Sequence, residues 1–95
     1  MAREIQDRQG EGKALCNLGV TQLRIEQYVP ALKNLQLALE IFREIKDCLE
    51  EERTLINLGI VCCASGEYEK AIVYNQQHLE LVQATLQQMR RSHYN

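Results

Sequence analysis

The side chains best able to do chemistry in this 95-residue sequence are four cysteines and two histidines. Cys16, Cys48, Cys62 and Cys63 lack the CxxC spacing of a metal-binding knuckle and the framework of a secreted mini-protein. Cys62 and Cys63 would point in different directions on a helix, which disfavours a disulfide between them. We interpret the cysteines as small, reduced core residues, with a zinc site or a redox pair as the alternatives. His78 has no partner at metal spacing, so the sequence predicts no metal and no cofactor.

Catalysis and nucleic-acid binding are both disfavoured by the pattern of reactive and basic residues. The cysteines and histidines are scattered over a helical pattern, without a Cys/His pair or an oxyanion loop, so we predict that the chain is not an enzyme. The net charge is −2 with both signs interspersed. The adjacent basic pair Arg90-Arg91 lies near the end of the sequence, away from any aromatic cluster that would favour nucleic acid.

Polar side chains that could bind a ligand recur along the chain. Asn17 and Asn57 are separated by about forty residues, and each follows a basic residue, Lys13 or Arg53, by one helical turn. A side-chain amide both donates and accepts, so repeated asparagines could hold the backbone of an extended peptide. The alternative is that the amides satisfy neighbouring groups within the protein. The basic residues would favour acidic ligands, or else they are solvated surface charge.

The elements that must position these residues repeat as well. Residues 43–82 reproduce residues 3–42 with roughly fourteen identities at a period of about forty. In each unit, apolar residues recur at helical spacing in two stripes separated by a break, which is typical of an α-hairpin. The sequence therefore predicts an all-α stack of two helical hairpins. The four helices are expected near residues 8–25, 28–46, 49–65 and 68–90.

Glycine and proline indicate where the helices end and begin. Gly66 suits a left-handed residue that ends a helix, whereas its counterpart Glu26 lacks that freedom, so the first turn should be less well capped. Pro30 is tolerated only in the first turn of a helix, which places the start of the second helix near Tyr28.

Two further pairs of equivalent residues suggest how the helices begin and touch. Asp7 and Asp47 could each cap the first N–H groups of the following helix. Gly19 and Gly59 lie within helices, where glycine costs about 1 kcal/mol relative to alanine, so their recurrence indicates close helix packing.

Residues 3–82 resemble the tetratricopeptide repeat family. The resemblance rests on the Leu-Gly pairs at 18–19 and 58–59, on Ala31 and Ala71, and on phrases such as Glu-Tyr-Glu-Lys-Ala-Ile. The period of about forty residues is longer than the common 34-residue unit. It is similar to the long variant found in G-protein-signalling modulators and bacterial tandem arrays. The resemblance implies a right-handed superhelix forming a single domain over residues 1–95, with repeats at about 8–46 and 48–90.

The resemblance also implies that the chain binds a peptide or protein on the concave face formed by the first helices, as a scaffold or adaptor. The positions that match this face, and that we predict to bind the partner, are Lys13, Asn17, Val20, Arg24, Arg53, Asn57 and Ile60. Val20 and Ile60 occupy sites that chaperone-tail-binding members fill with polar residues, so a carboxylate clamp is not expected.

The alternative to a binding module is a structural piece of a longer array, attached to a signalling or enzymatic domain. Ala2–Gln6 resemble the end of a preceding second helix, which favours this alternative. No apolar run approaches the roughly 18 residues of a membrane span, and the first residues lack the apolar core of a signal peptide. We therefore expect a cytoplasmic protein without membrane contact.

Self-association is predicted through the last helix. Residues 67–95 contain neither glycine nor proline, so this helix can continue past Val82. Leu79, Val82, Leu86 and Met89 form an apolar seam that would be buried against another helix, which predicts a homodimer. The alternative is a frayed, monomeric tail from Gln87 onward.

Overall fold

A computed structural model describes residues 2–94 of the chain. They form four α-helices, α1 (Ala2–Arg24), α2 (Tyr28–Glu44), α3 (Cys48–Ala64) and α4 (Tyr68–Tyr94), without a strand among them. Helices α1 and α2 form one hairpin, and α3 and α4 form the second. The two hairpins stack chiefly through α2 and α3, while α1 touches α3 over a short stretch. The predicted all-α stack of two hairpins is confirmed.

All three turns between the helices close in the same way. A residue with positive φ follows each helix, namely Glu26 (63°), Lys46 (59°) and Gly66 (83°). The next N–H donates to the carbonyl five residues earlier, which is the Schellman arrangement: Gln27 N to Gln22 O is 2.8 Å, and the equivalent distances are 2.9 Å and 2.8 Å. The prediction that the first turn is less well capped is therefore wrong, because its hydrogen bonds match those of the other turns. The first turn differs from the Gly66 turn only in conformational strain, which is on the order of 1 kcal/mol for a non-glycine residue with positive φ.

The starts of α2 and α3 agree with the sequence prediction, whereas the start of α1 differs from it. Helix α2 begins at Tyr28 with Pro30 in its first turn, as predicted. Asp47 caps α3, since its Oδ1 accepts from the N–H of Glu50 at 3.3 Å. Asp7 caps nothing, because α1 runs without a break from Ala2 and leaves no free N–H group at this position. The prediction for Asp7 is therefore wrong. So is the interpretation of residues 2–6 as the end of a separate helix.

The core lies where α2 packs between α1 and α3. Leu35, Leu39, Leu55 and Leu58 belong to one buried cluster, and each large apolar side chain buried in this way contributes about 1.5–3 kcal/mol. Phe42 is also fully buried. Burial of α2 on both sides is what joins the two hairpins.

Two glycines of α1 bring α2 close. A Cβ on Gly12 would lie 2.8 Å from the ring of Phe42. A Cβ on Gly19 would lie 2.8 Å from Leu35 Cγ and 3.2 Å from the Ala31 carbonyl, which confirms that Gly19 is a packing requirement. A Cβ on Gly59 would meet only the amide of Asn75, at 2.8 Å. The close approach is therefore strictest in the first hairpin.

Polar contacts hold the second hairpin against the first. Arg43 donates from Nε to Glu51 (3.1 Å) and from Nη2 to Gln77 (2.8 Å). The Tyr74 hydroxyl accepts from the Gln36 amide at 2.9 Å. These bonds link α2 to both α3 and α4, so they fix how the second hairpin sits on the first.

Replacing the two neighbouring glycines of α1 tests this packing. A Cβ on Gly10 would have nothing within 4 Å, so Gly10→Ala should raise the free energy of unfolding by about 0.5–1 kcal/mol through helix propensity. Gly12→Ala should lower it by about 1–3 kcal/mol, because the buried Phe42 ring cannot move away. Urea unfolding followed by circular dichroism measures both. Equal stabilisation by the two substitutions would contradict the proposed role of Gly12.

Candidate functional site

The seven predicted partner-binding residues lie on the first helices of the two hairpins. Helix α1 carries Lys13, Asn17, Val20 and Arg24, and α3 carries the rest. Lys13, Asn17, Arg24, Arg53 and Ile60 are exposed, whereas Val20 and Asn57 are half-buried. Helices α1 and α3 touch where Gln9 donates to Asp47 (2.7 Å) and where Cys16 Sγ lies 3.3 Å from Thr54 Oγ1. The seven residues thus belong to two adjacent helices.

The asparagine amides are free to meet a ligand. Across residues 2–94, neither the Asn17 nor the Asn57 side-chain amide forms a hydrogen bond, although the Asn17 backbone carbonyl accepts from Thr21 Oγ1 at 2.9 Å. The alternative that these amides satisfy neighbouring groups therefore gains no support. Amides that are solvated in the free protein can exchange water for a peptide backbone at little cost.

The basic residues near the asparagines differ in their surroundings. Arg53 forms an ion pair with Glu50 one turn earlier, with Nη1 to Oε1 at 3.2 Å. Such a solvent-facing pair contributes less than about 1 kcal/mol, so a ligand carboxylate can compete for the guanidinium. Lys13 and Arg24 form no ion pair within the described part of the chain. Lys13, Arg24 and Arg53 are therefore three basic side chains that an acidic segment could contact.

A second exposed surface was not recognised from the sequence as one surface. We call it the end face, and it consists of large apolar residues of α3 and α4: Leu49, Ile56, Ile60, Tyr68, Ile72 and Leu79, all exposed. Their counterparts in the first hairpin are buried or half-buried: Gln9, Cys16, Val20, Tyr28, Leu32 and Leu39. The repeat places these residues at equivalent positions, but the sequence does not show that the first set is covered and the second set is exposed.

Helix α4 is longer than its counterpart α2, with 27 residues against 17. The prediction that it continues past Val82 is therefore confirmed. Leu79, Leu86 and Met89 are 55%, 53% and 64% exposed, and Val82 is half-buried. Four apolar side chains thus lie along α4, three of them largely in solvent.

The cysteines divide into two covered and two exposed thiols. Cys62 is buried and Cys16 is half-buried, but Cys48 and Cys63 are exposed, so the prediction that all four are core residues is wrong for the latter two. Cys48 begins α3, and Cys63 lies at the position of Leu23, next to the end face. Burial raises the pKa of the Cys16 thiol and of the Cys62 thiol.

Metal-binding clusters are absent from the part of the chain that the structure describes, as judged by groups of three or more His, Cys, Asp or Glu residues. His78 instead lies against a carboxylate, with Nε2 3.2 Å from Glu52 Oε1. No helix among residues 2–94 is long and apolar enough to cross a membrane.

Two stacked helical hairpins that expose polar and apolar surfaces are the architecture of a helical repeat protein. Residues 10–84 match the family model of the tetratricopeptide repeat, and since this is most of the chain, the protein belongs to the tetratricopeptide repeat family. Repeats of this family generally mediate protein–protein interactions and are generally non-catalytic. No curated protein and no solved structure matches the chain.

The two classes of cysteine should differ in their reaction with a thiol reagent in the native protein. Only the thiolate attacks the reagent, so the raised pKa values make Cys16 and Cys62 less reactive at neutral pH. Their reaction rates should rise only at a pH higher than is usual for a thiol. Cys48 and Cys63 should react first, because the reagent reaches them. Peptide mapping by mass spectrometry after timed alkylation measures the four rates, and alkylation in urea is the control. Equal native rates at the neighbours Cys62 and Cys63 would refute the prediction.

Proposed function

We propose that this chain binds an extended or helical segment of another protein on the surface of α1 and α3 that carries Asn17 and Asn57, and that it acts as a scaffold or adaptor. The observation that carries the proposal is that the side-chain amides of Asn17 and Asn57, at equivalent positions of successive first helices, form no hydrogen bond among residues 2–94. A peptide backbone can both donate to and accept from such amides. Family membership supports a protein ligand.

The side chains around the asparagines define the chemistry of the segment. Lys13, Arg24 and Arg53 favour acidic residues, and the affinity should fall with added salt because exposed charges are screened. Val20 and Ile60 add apolar contacts beside the amides. The ligand expected from this set is an acidic segment with apolar side chains, held partly through its backbone.

The proposal includes the organisation of the chain. Residues 1–95 form one domain with repeats at about 8–46 and 48–90, in the long-repeat variant similar to G-protein-signalling modulators. We place the protein in the cytoplasm, because its four cysteines are free thiols, as is usual in a reducing compartment.

Removing both amides tests the binding surface. A peptide selected from a display library on the immobilised chain would be titrated by calorimetry against the Asn17→Ala/Asn57→Ala variant. We expect a loss of affinity of roughly tenfold, because two hydrogen bonds of about 0.5–1.5 kcal/mol each disappear. Gln87→Ala, which removes an exposed amide from α4, is the matched control and should bind normally. Unchanged affinity in a folded double variant would place binding elsewhere.

We also propose that the chain associates with a second copy through α4. The observation in favour is the exposure of Leu79, Leu86 and Met89 along one helix, with Val82 between them. Burying each such side chain contributes about 1.5–3 kcal/mol. Contact with a second copy would remove these side chains from water.

The Leu86→Glu/Met89→Glu variant tests association through α4. Carboxylates at these positions would be costly to bury, so the variant should be monomeric at about 100 μM, where the unmodified chain is associated. Light scattering behind size exclusion gives both masses. A variant that stays associated would exclude this part of α4 from the contact.

A further inference from the structure

The first hairpin has a surface equivalent to the end face, and the second hairpin covers that surface. Leu39 on α2 is 4% exposed because α3 lies over it, whereas its counterpart Leu79 on α4 is 55% exposed. Leu32 is half-buried, whereas its counterpart Ile72 is exposed. The contact between α2 and α3 therefore shows what kind of element fits the end face, namely a helix with the pattern of α3.

A helix with that pattern is present at the opposite end of the stack, because α1 is the counterpart of α3. Leu55 and Leu58 of α3 are fully buried. Of their counterparts in α1, Leu15 is half-buried and Leu18 is 47% exposed. We define the front face as the surface formed by the half-buried Leu15 and the exposed Ala14, Leu18 and Leu37. A shallow cavity of about 350 Å³ there is lined partly by Leu15 and Leu37.

The apolar contacts across the junction between the hairpins can be repeated between two copies. Leu39 shares a buried cluster with Leu55 and Leu58, and the equivalent contact would join Leu79 to Leu15 and Leu18 of a second copy.

The polar contact of Cys16 Sγ with Thr54 Oγ1 is 3.3 Å. The residues at the equivalent positions are Ile56 and, in a second copy, Ala14. Ile56 and Ala14 are both apolar, so they suit each other across the contact. The polar contact of the original pair is thus replaced by an apolar one.

Two of the hydrogen bonds at the junction also have suitable counterparts. At the positions equivalent to the Gln36–Tyr74 bond (2.9 Å), Gln76 would face Asn34 of a second copy, and both side chains are amides. The Arg43–Glu51 bond (3.1 Å) becomes Gln83 facing Glu11, which is again a donor with an acceptor. The Gln9–Asp47 and Arg43–Gln77 bonds have no equivalents, since Leu49 would face Asp7 and Gln83 would face Leu37.

The ends of the outer helices would meet in the same arrangement. The start of α3 lies beside the end of α2, so stacking would place the start of α1 of a second copy beside the end of α4. Ile5 and Leu86, which are 52% and 53% exposed, lie near these ends.

We propose that the end face binds the front face of a second copy of this chain, in the arrangement by which α3 covers α2. The proposal rests on the proposed self-association and assigns the surface that α4 meets, which is α1 and not another α4. Such a contact is heterologous and leaves one free face at each end, so the assembly grows beyond a dimer as the concentration rises.

Single substitutions on each face test the proposal in the full chain. Leu18→Glu alters the front face and Leu79→Glu alters the end face, and both side chains are already about half exposed, so the fold should be retained by circular dichroism. Val29→Glu changes an 81% exposed residue outside both faces and is the control. Sedimentation should show growth for the unmodified chain and for the control, but a single mass of 11.0 kDa for each of the two face variants.

Mixing the two face variants gives the decisive result. Leu18→Glu retains its end face and Leu79→Glu retains its front face, so an equimolar mixture should form a one-to-one dimer that does not grow. If Leu18→Glu associates like the unmodified chain while Leu79→Glu is monomeric, the contact is α4 with α4, and head-to-tail stacking is overturned although self-association stands. An unmodified chain that is monomeric throughout overturns both.

Discussion

Close packing of α2 against α1 is the contact on which the rest of the structure depends. The buried Phe42 ring occupies the space that a Cβ on Gly12 would need, at 2.8 Å, and Leu35 does the same at Gly19. With α2 held this close on one side, its opposite side presents Leu39 to α3. The second hairpin is therefore attached through a helix whose position two glycines determine.

The two hairpins share a sequence pattern but differ in the contacts between their helices. The counterparts of Gly12 and Phe42 in the second hairpin are Glu52 and Val82. The packing of a ring on a glycine is replaced by a contact of 3.2 Å between Glu52 of α3 and His78 of α4. An apolar contact between helices is thus replaced by a polar one. This leaves α4 attached by fewer buried apolar side chains, with its outer surface free to meet other molecules.

Much of the fold could be predicted from the sequence because the forces that decide it are local. Apolar spacing, Pro30 and Gly66 act within one or two helical turns, so the helix type, the hairpins and the turn at Gly66 followed from the residues themselves. Asp47 was also identified correctly as a cap. Its equivalent Asp7 was not, because the same residue type caps a helix only where the chain leaves N–H groups free, and the neighbouring residues of α1 had already joined the helix.

The sequence by itself determined the repeat, the four helices and the residues that recur at equivalent positions, since these follow from periodicity and from backbone preferences. Only the tertiary structure decided which recurring residues are covered. Leu39 and Leu79 are the same residue in the same pattern, yet one is buried beneath α3 and the other is exposed. Burial depends on what packs against a helix, and a residue's own pattern does not contain that information. For the same reason, only the packed helices reveal that the side-chain amides of Asn17 and Asn57 form no hydrogen bond within the described part of the chain and that two cysteines lie in solvent.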